Sequence, residues 1–85
     1  MYNITITERL NGYTYFTASN GCISADFIIY DASTGDDITI WVELDSIDGV
    51  DYDIAADLSG WVYDGLLTEQ EGIDRALYML YQLER

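Results

Sequence analysis

Apolar and polar residues alternate along most of the first half of the chain, which is the pattern of half-buried β-strands. The alternation predicts four strands, over residues 2–7, 13–18, 22–30 and 38–44. Turn-forming residues separate them at Asn11-Gly12, at Asn20-Gly21 and over 31–37. Because these connections are short, each strand is expected to pair with its neighbour in sequence, as in an antiparallel meander.

The spacing of apolar residues changes in the second half, from two positions to about four. One face of a predicted helix carries Val50, Ile54, Leu58 and Trp61. Gly49 and the Ser59-Gly60 pair weaken this helix, because glycine is a poor helix former. The pattern therefore predicts a short or interrupted first helix.

The last element is a better-marked helix. Thr68 and Glu71 match the capping box, in which the hydroxyl accepts a hydrogen bond from the backbone N–H three residues later. The apolar stripe that follows consists of Ile73, Ala76, Leu77 and Leu80. Gly72 costs this helix about 1 kcal/mol relative to alanine. The sequence thus predicts one α+β domain over residues 1–85, a four-stranded antiparallel meander followed by two helices packed on one face.

Acidic residues greatly outnumber basic ones. The chain has 16 aspartates and glutamates, 3 arginines, and neither lysine nor histidine, which gives a net charge of −13. Between Arg9 and Arg75 lie 14 carboxylates and no cation. Most of these acids cannot be neutralised within the domain, so a strong negative field is expected around it.

This composition excludes several classes of function. Direct binding to nucleic acid or to anionic membranes needs lysine and arginine. Histidine-dependent catalysis and zinc sites need residues that the chain lacks. No apolar run is long enough to span a membrane, no secretory leader is visible, and the lone Cys22 cannot form an intrachain disulfide. We therefore expect a non-catalytic cytoplasmic protein without a cofactor.

Clustered aspartates raise the alternative of a cation site. An EF-hand loop needs glycine at its sixth position and glutamate at its twelfth. A loop starting at Asp31 fails at both positions, and one starting at Asp48 places Val50 where a ligand is needed. A calcium site of another type stays open among Asp45, Asp48, Asp51 and Asp53. The competing interpretation is that these aspartates favour a turn and a helix N-terminus.

Unpaired carboxylates are also candidates for contact with a partner. On the predicted first helix, Asp53, Asp57 and Asp64 lie on one face, where like charges repel each other unless a cationic partner relieves them. On the predicted sheet, Trp41 and Glu43 point away from the core, and tryptophan is enriched at interface hot spots. The predicted partner-binding residues are Asp36, Asp37, Trp41, Glu43, Asp45, Asp48, Asp51, Asp53, Asp57 and Asp64.

In size, in charge and in its carboxylate and aromatic surface over residues 26–74, the chain resembles the nucleic-acid-mimicking inhibitors made by phages and mobile elements. These include anti-CRISPR and anti-restriction proteins. About 30 Å of DNA duplex carries roughly 18 charges, a density comparable with that of this small domain. The resemblance implies a basic partner, a Cas effector or a restriction complex, blocked at its DNA-binding surface in the cytoplasm of a host cell.

Two other interpretations stay open at this point. An acidic chain without lysine is also typical of adaptation to a cytoplasm of high salt, which leaves the function undefined. Alternatively, the chain is a structural or assembly protein that binds a basic partner without imitating DNA. A monomer or a homodimer joined at a sheet edge is expected, although the charge opposes the dimer.

Overall fold

The computed structural model describes residues 2–83. The elements in chain order are β1 (Asn3–Leu10), β2 (Tyr13–Ser19), β3 (Ser24–Asp31), β4 (Ile40–Ile47), β5 (Val50–Asp57), α1 (Ser59–Tyr63) and α2 (Glu69–Leu83). The strands form one antiparallel sheet in the order β1-β2-β3-β4-β5. An α+β fold with an antiparallel meander followed by two helices is therefore confirmed, but the sheet has five strands rather than four.

The fifth strand replaces most of the predicted first helix. Asp48 and Gly49 both have positive φ, 51° and 82°, and form a tight turn that brings Val50 opposite Ile47. Asp-Gly between two apolar residues is a strong hairpin signal, because these residues tolerate the left-handed conformation. Of the predicted helix, only the short α1 remains, beginning at Ser59.

The helices cover one face of the sheet and form the core with it. Phe16 and Phe27 lie opposite each other on β2 and β3, with ring centroids 5.3 Å apart. The buried apolar residues of this core are Tyr2, Phe16, Ala18, Ala25, Phe27, Val42, Leu44, Leu58, Ile73, Ala76 and Leu80. Those on β2, β3 and β4 occupy alternate positions of each strand, so the intervening side chains must point to the opposite face.

Helix α2 begins with the predicted capping box. The backbone N–H of Glu71 donates to Thr68 Oγ1 over 3.2 Å, and that of Thr68 donates to Glu71 Oε1 over 2.9 Å. One turn further on, Gly72 is buried against the sheet, where an added Cβ would lie 2.8 Å from Ile29 Cδ1. The glycine therefore lets the helix approach β3 closely. Neither helix within residues 2–83 has the length and apolar character needed to cross a lipid bilayer.

Candidate functional site

The face of the sheet opposite the helices carries aromatic and acidic side chains. We call it the open sheet face, and it comprises Tyr13, Tyr15, Asp26, Ile28, Tyr30, Trp41, Glu43, Asp45 and Asp53. Backbone register arranges most of them in rows that run across the strands. Adjacent strands lie about 4.8 Å apart, so side chains in one row are direct neighbours.

One row is aromatic. Tyr13 on β2 lies opposite Tyr30 on β3, and Tyr30 lies opposite Trp41 on β4. The rings of Tyr13 and Tyr30 stack with centroids 6.1 Å apart, and Tyr15 stacks on Tyr13 at 6.2 Å. Tyr13 is 45% exposed, whereas Tyr30 and Trp41 are half-buried. The row therefore presents a partly exposed aromatic surface. Tyrosine and tryptophan are enriched at interface hot spots.

The adjacent row contains Glu43, whose pKa is raised. Glu43 is half-buried, and its carboxyl group interacts directly with that of Asp53 on β5. Burial raises the pKa of Glu43, and the nearby charges of Asp53 and Asp45 raise it further. Burial and the charges of Glu43 and Asp53 also raise the pKa of Tyr30. Both shifts arise first from burial and then from the carboxylates that lie beside the aromatic row.

A third row is polar, and its hydrogen bonds are made within the sheet. Asp26 accepts hydrogen bonds from the Thr17 hydroxyl (2.7 Å) and the Ser46 hydroxyl (3.0 Å), one on each carboxylate oxygen. Register continues this row to Asp51 on β5. A depression on this part of the face is lined in part by Tyr15, Asp26, Ile28 and Asp45. Asp26 therefore holds the sheet together, while Asp45 and Asp51 project as exposed acids.

The structure divides the predicted partner-binding residues into two groups. Trp41, Glu43, Asp45 and Asp53 come together on the open sheet face, with Asp51 and Asp57 at its margin on β5. The others lie elsewhere: Asp36 and Asp37 in the β3–β4 loop, Asp48 in the β4–β5 turn and Asp64 immediately after α1. The predicted helical row of Asp53, Asp57 and Asp64 is wrong, because the first two belong to a strand.

Two of these aspartates have local structural roles. The carboxylate of Asp48 accepts a hydrogen bond from the backbone N–H of Ser24 over 2.8 Å, which ties the β4–β5 turn to β3. That of Asp57 accepts from the backbone N–H of Ser59 over 2.8 Å at the start of α1, and this hydrogen bond lowers the pKa of Asp57. These two aspartates therefore have roles in the fold that need no binding partner.

The arginines of the described chain contact residues of the helices. Arg9 donates to both carboxylate oxygens of Glu69, over 3.0 and 2.7 Å. Arg75 lies over Tyr78 and Trp61, with its guanidinium carbon 5.0 and 6.0 Å from the ring centroids. Within residues 2–83, the carboxylates of the open sheet face therefore have no arginine partner.

Potential metal ligands and the cysteine are the remaining reactive groups of the described residues. Across residues 2–83, no three or more acidic or cysteine side chains are grouped so that they could hold a metal ion. Asp45, Asp48, Asp51 and Asp53, which the sequence suggests as calcium ligands, do not form such a group in this part of the chain. Cys22 is exposed and unpaired there, beside Gly21 in the β2–β3 loop.

Tyr13 and Tyr15 belong to the site but are not among the residues predicted from the sequence. The sequence pattern nevertheless indicates their position. Tyr13 and Tyr15 alternate with Phe16 and Ala18, and because those two residues are in the core, the tyrosines must face away from the helices. Comparisons with protein-family models, with curated proteins and with solved structures find no match for this chain. The interpretation of the open sheet face consequently depends on its geometry and charge.

Proposed function

We propose that this chain is a non-catalytic inhibitor that uses the open sheet face to bind the basic nucleic-acid-binding surface of a Cas effector or restriction complex. The observation that carries the proposal is the aromatic row of Tyr13, Tyr30 and Trp41 beside the Glu43–Asp53 pair, on a sheet face without an arginine partner in the described chain. Aromatic rings supply contact area, and the carboxylates supply complementarity to lysine and arginine.

The electrostatics of the whole chain support the same partner class. The described molecule extends 41 Å along its longest axis, and a duplex of that length carries about 24 charges. A net charge of −13 is about half of that, carried on a folded frame. A basic channel that attracts DNA should also attract this protein, with faster association at low salt. Occupying the channel then excludes the nucleic acid.

The test is a competition experiment with matched variants. Purified chain is titrated into Cas effector–guide complexes and restriction enzymes, and DNA binding and cleavage are measured at two salt concentrations. The double variant Glu43→Gln/Asp53→Asn should lose inhibition by about tenfold or more, as expected for hot-spot residues. The control Asp36→Asn/Asp37→Asn likewise converts two carboxylates to amides, in the β3–β4 loop, and should inhibit almost normally.

Three results would contradict the proposal. A target complex that holds this protein and its DNA at the same time excludes competition for one surface. Equal loss of inhibition in the two double variants, with both still folded by circular dichroism, shows that net charge rather than the open sheet face is recognised. Inhibition of no complex in the panel, at low salt, rejects the inhibitor assignment for those targets.

The aromatic row also favours a second candidate. Stacked tyrosines provide apolar contact area that a phosphate backbone does not have. A structural or assembly protein that docks on a basic partner would use the same face without competing with DNA. The competition experiment separates the two, because an assembly partner binds this chain with no loss of its nucleic-acid affinity.

A further inference from the structure

Strand β5 is an unpaired edge of the sheet. It pairs with β4 on one side, and no described strand pairs with its other side. Every residue of β5 except Ala56 is exposed. An edge strand presents free backbone N–H and C=O groups, which can accept an additional strand.

The two faces of β5 have opposite character. Val50 lies opposite Ile47 and Ile54 opposite Leu44, so both belong to the helix side of the sheet. Yet Val50 is 61% exposed and Ile54 37% exposed, because the helices pack over β3 and β4. The other face carries Asp51, Asp53 and Asp57. The edge is therefore apolar on one side and acidic on the other.

The opposite edge of the sheet differs. Ile4 and Ile6 on β1 are half-buried and pack against the core, and Arg9 is held by Glu69. Both edge strands contain one register shift, so the shift does not distinguish them. Strand β1 also has an exposed aliphatic residue, Leu10, and an exposed acid, Glu8. What distinguishes β5 is that two exposed aliphatic residues lie on one face and three aspartates on the other.

We infer that β5 accepts, as a sixth strand, an extended segment of a partner protein in which lysine or arginine alternates with aliphatic residues. The aliphatic side chains would cover Val50 and Ile54, and the basic ones would lie beside the three aspartates. A second copy of this chain fits poorly, because pairing β5 with β5 brings six carboxylates together. The inference rests on the proposed function for the cationic nature of the partner and adds how the partner docks.

The probe is an eight-residue peptide of alternating lysine and valine, titrated into the full chain at low salt and followed by NMR. Binding should perturb the backbone amides of β5 more than those of β1. Two N-methylated forms provide the decisive comparison, one methylated on the valines and one on the lysines. Successive N–H groups of a strand point to opposite edges, so one form should bind normally and the other at least about tenfold more weakly.

Two pairs of variants test the faces of the strand. Asp51→Asn/Asp53→Asn should weaken binding of the peptide about three- to tenfold at low salt, whereas Asp36→Asn/Asp37→Asn should leave it unchanged. Val50→Ser should weaken binding severalfold. Its control, Leu66→Ser, changes another exposed aliphatic residue, in the α1–α2 connection, and should have no effect.

Three outcomes overturn the inference. Equal binding of both N-methylated peptides, with shifts centred on Tyr30 and Trp41, shows electrostatic docking on the open sheet face, which leaves the proposed function intact. A dimer in sedimentation experiments, with the amides of β5 perturbed in the NMR spectrum, identifies a second copy as the occupant. Absence of peptide binding at low salt rejects strand addition, while the DNA competition experiment still decides the proposed function separately.

Discussion

Gly72 sets the distance between α2 and the sheet. The residue is buried, and its missing side chain leaves room for the end of Ile29 on β3. In the sequence, this glycine is visible only as a cost in helix propensity. Its packing role could not be predicted, because nothing in the sequence shows which residue of the sheet lies beneath a given turn of helix. The same limit explains why Trp41 could be assigned to a face, whereas its pairing with Tyr30 across the strands could not be predicted.

A double-mutant cycle tests this contact. In the native background, Gly72→Ala should stabilise the protein by less than the full gain of about 1 kcal/mol in helix propensity, because Ile29 must shift. In the Ile29→Val background, which lacks Cδ1, the same change should give the full gain. Urea unfolding of the four proteins should show a coupling of about 0.5 kcal/mol or more. Identical effects in both backgrounds would mean that Ile29 does not oppose the new methyl group.

At the scale of elements, the spacing of apolar residues predicts four strands and α2, whereas it does not predict β5. Val50, Ile54 and Leu58 repeat at a helical spacing, but Val50, Tyr52, Ile54 and Ala56 also repeat at the spacing of a strand. Periodicity alone cannot separate the two. The turn residues Asp48-Gly49 decide in favour of the strand, because they close a hairpin before the helix can start. Turn chemistry therefore outweighs apolar spacing in this segment.

Gly49→Ala should expose this dependence on the turn. Alanine at φ 82° should lower the free energy of unfolding by about 1–2 kcal/mol, because its Cβ clashes in the left-handed region. Gly60→Ala in α1 is the matched control, since nothing lies within 4 Å of a Cβ there, and it should be neutral or stabilising by up to about 1 kcal/mol. Chemical denaturation measures both. A neutral Gly49→Ala would contradict the importance of the β4–β5 turn.

For the whole molecule, the raised and lowered pKa values act in opposite directions on stability. The raised pKa of Glu43 means that the folded state holds this proton more tightly than the unfolded chain. Its contribution is therefore full below the ordinary pKa and is lost as the pH rises through the raised value. Hydrogen bonds lower the pKa of three other carboxyl groups, those of Asp31, Asp57 and Glu69. Their contribution is present above the ordinary pKa and is lost as the pH falls.

These opposing effects predict greatest stability in weakly acidic solution. Between weakly acidic and neutral pH, the free energy of unfolding should decline as the pH rises through the raised pKa of Glu43, and Glu43→Gln should remove part of that decline. Glu8→Gln, which makes the same chemical change on the exposed surface of β1, should keep the native slope. Urea unfolding across this pH range provides the measurement. Equal slopes for the two variants would show that general charge repulsion, rather than the Glu43–Asp53 pair, governs the dependence.

The sequential order of the strands has a consequence for the nascent chain. Each strand pairs with the one made just before it, so hairpins can close as they emerge, with no proline to delay them. Helix α2, however, is made after all five strands, and until it docks, the apolar side that contains Phe16, Phe27 and Leu44 is exposed. The five strands and the turns between them already carry most of the acidic residues. We expect the resulting repulsion between incomplete chains to limit their aggregation through the exposed apolar surface.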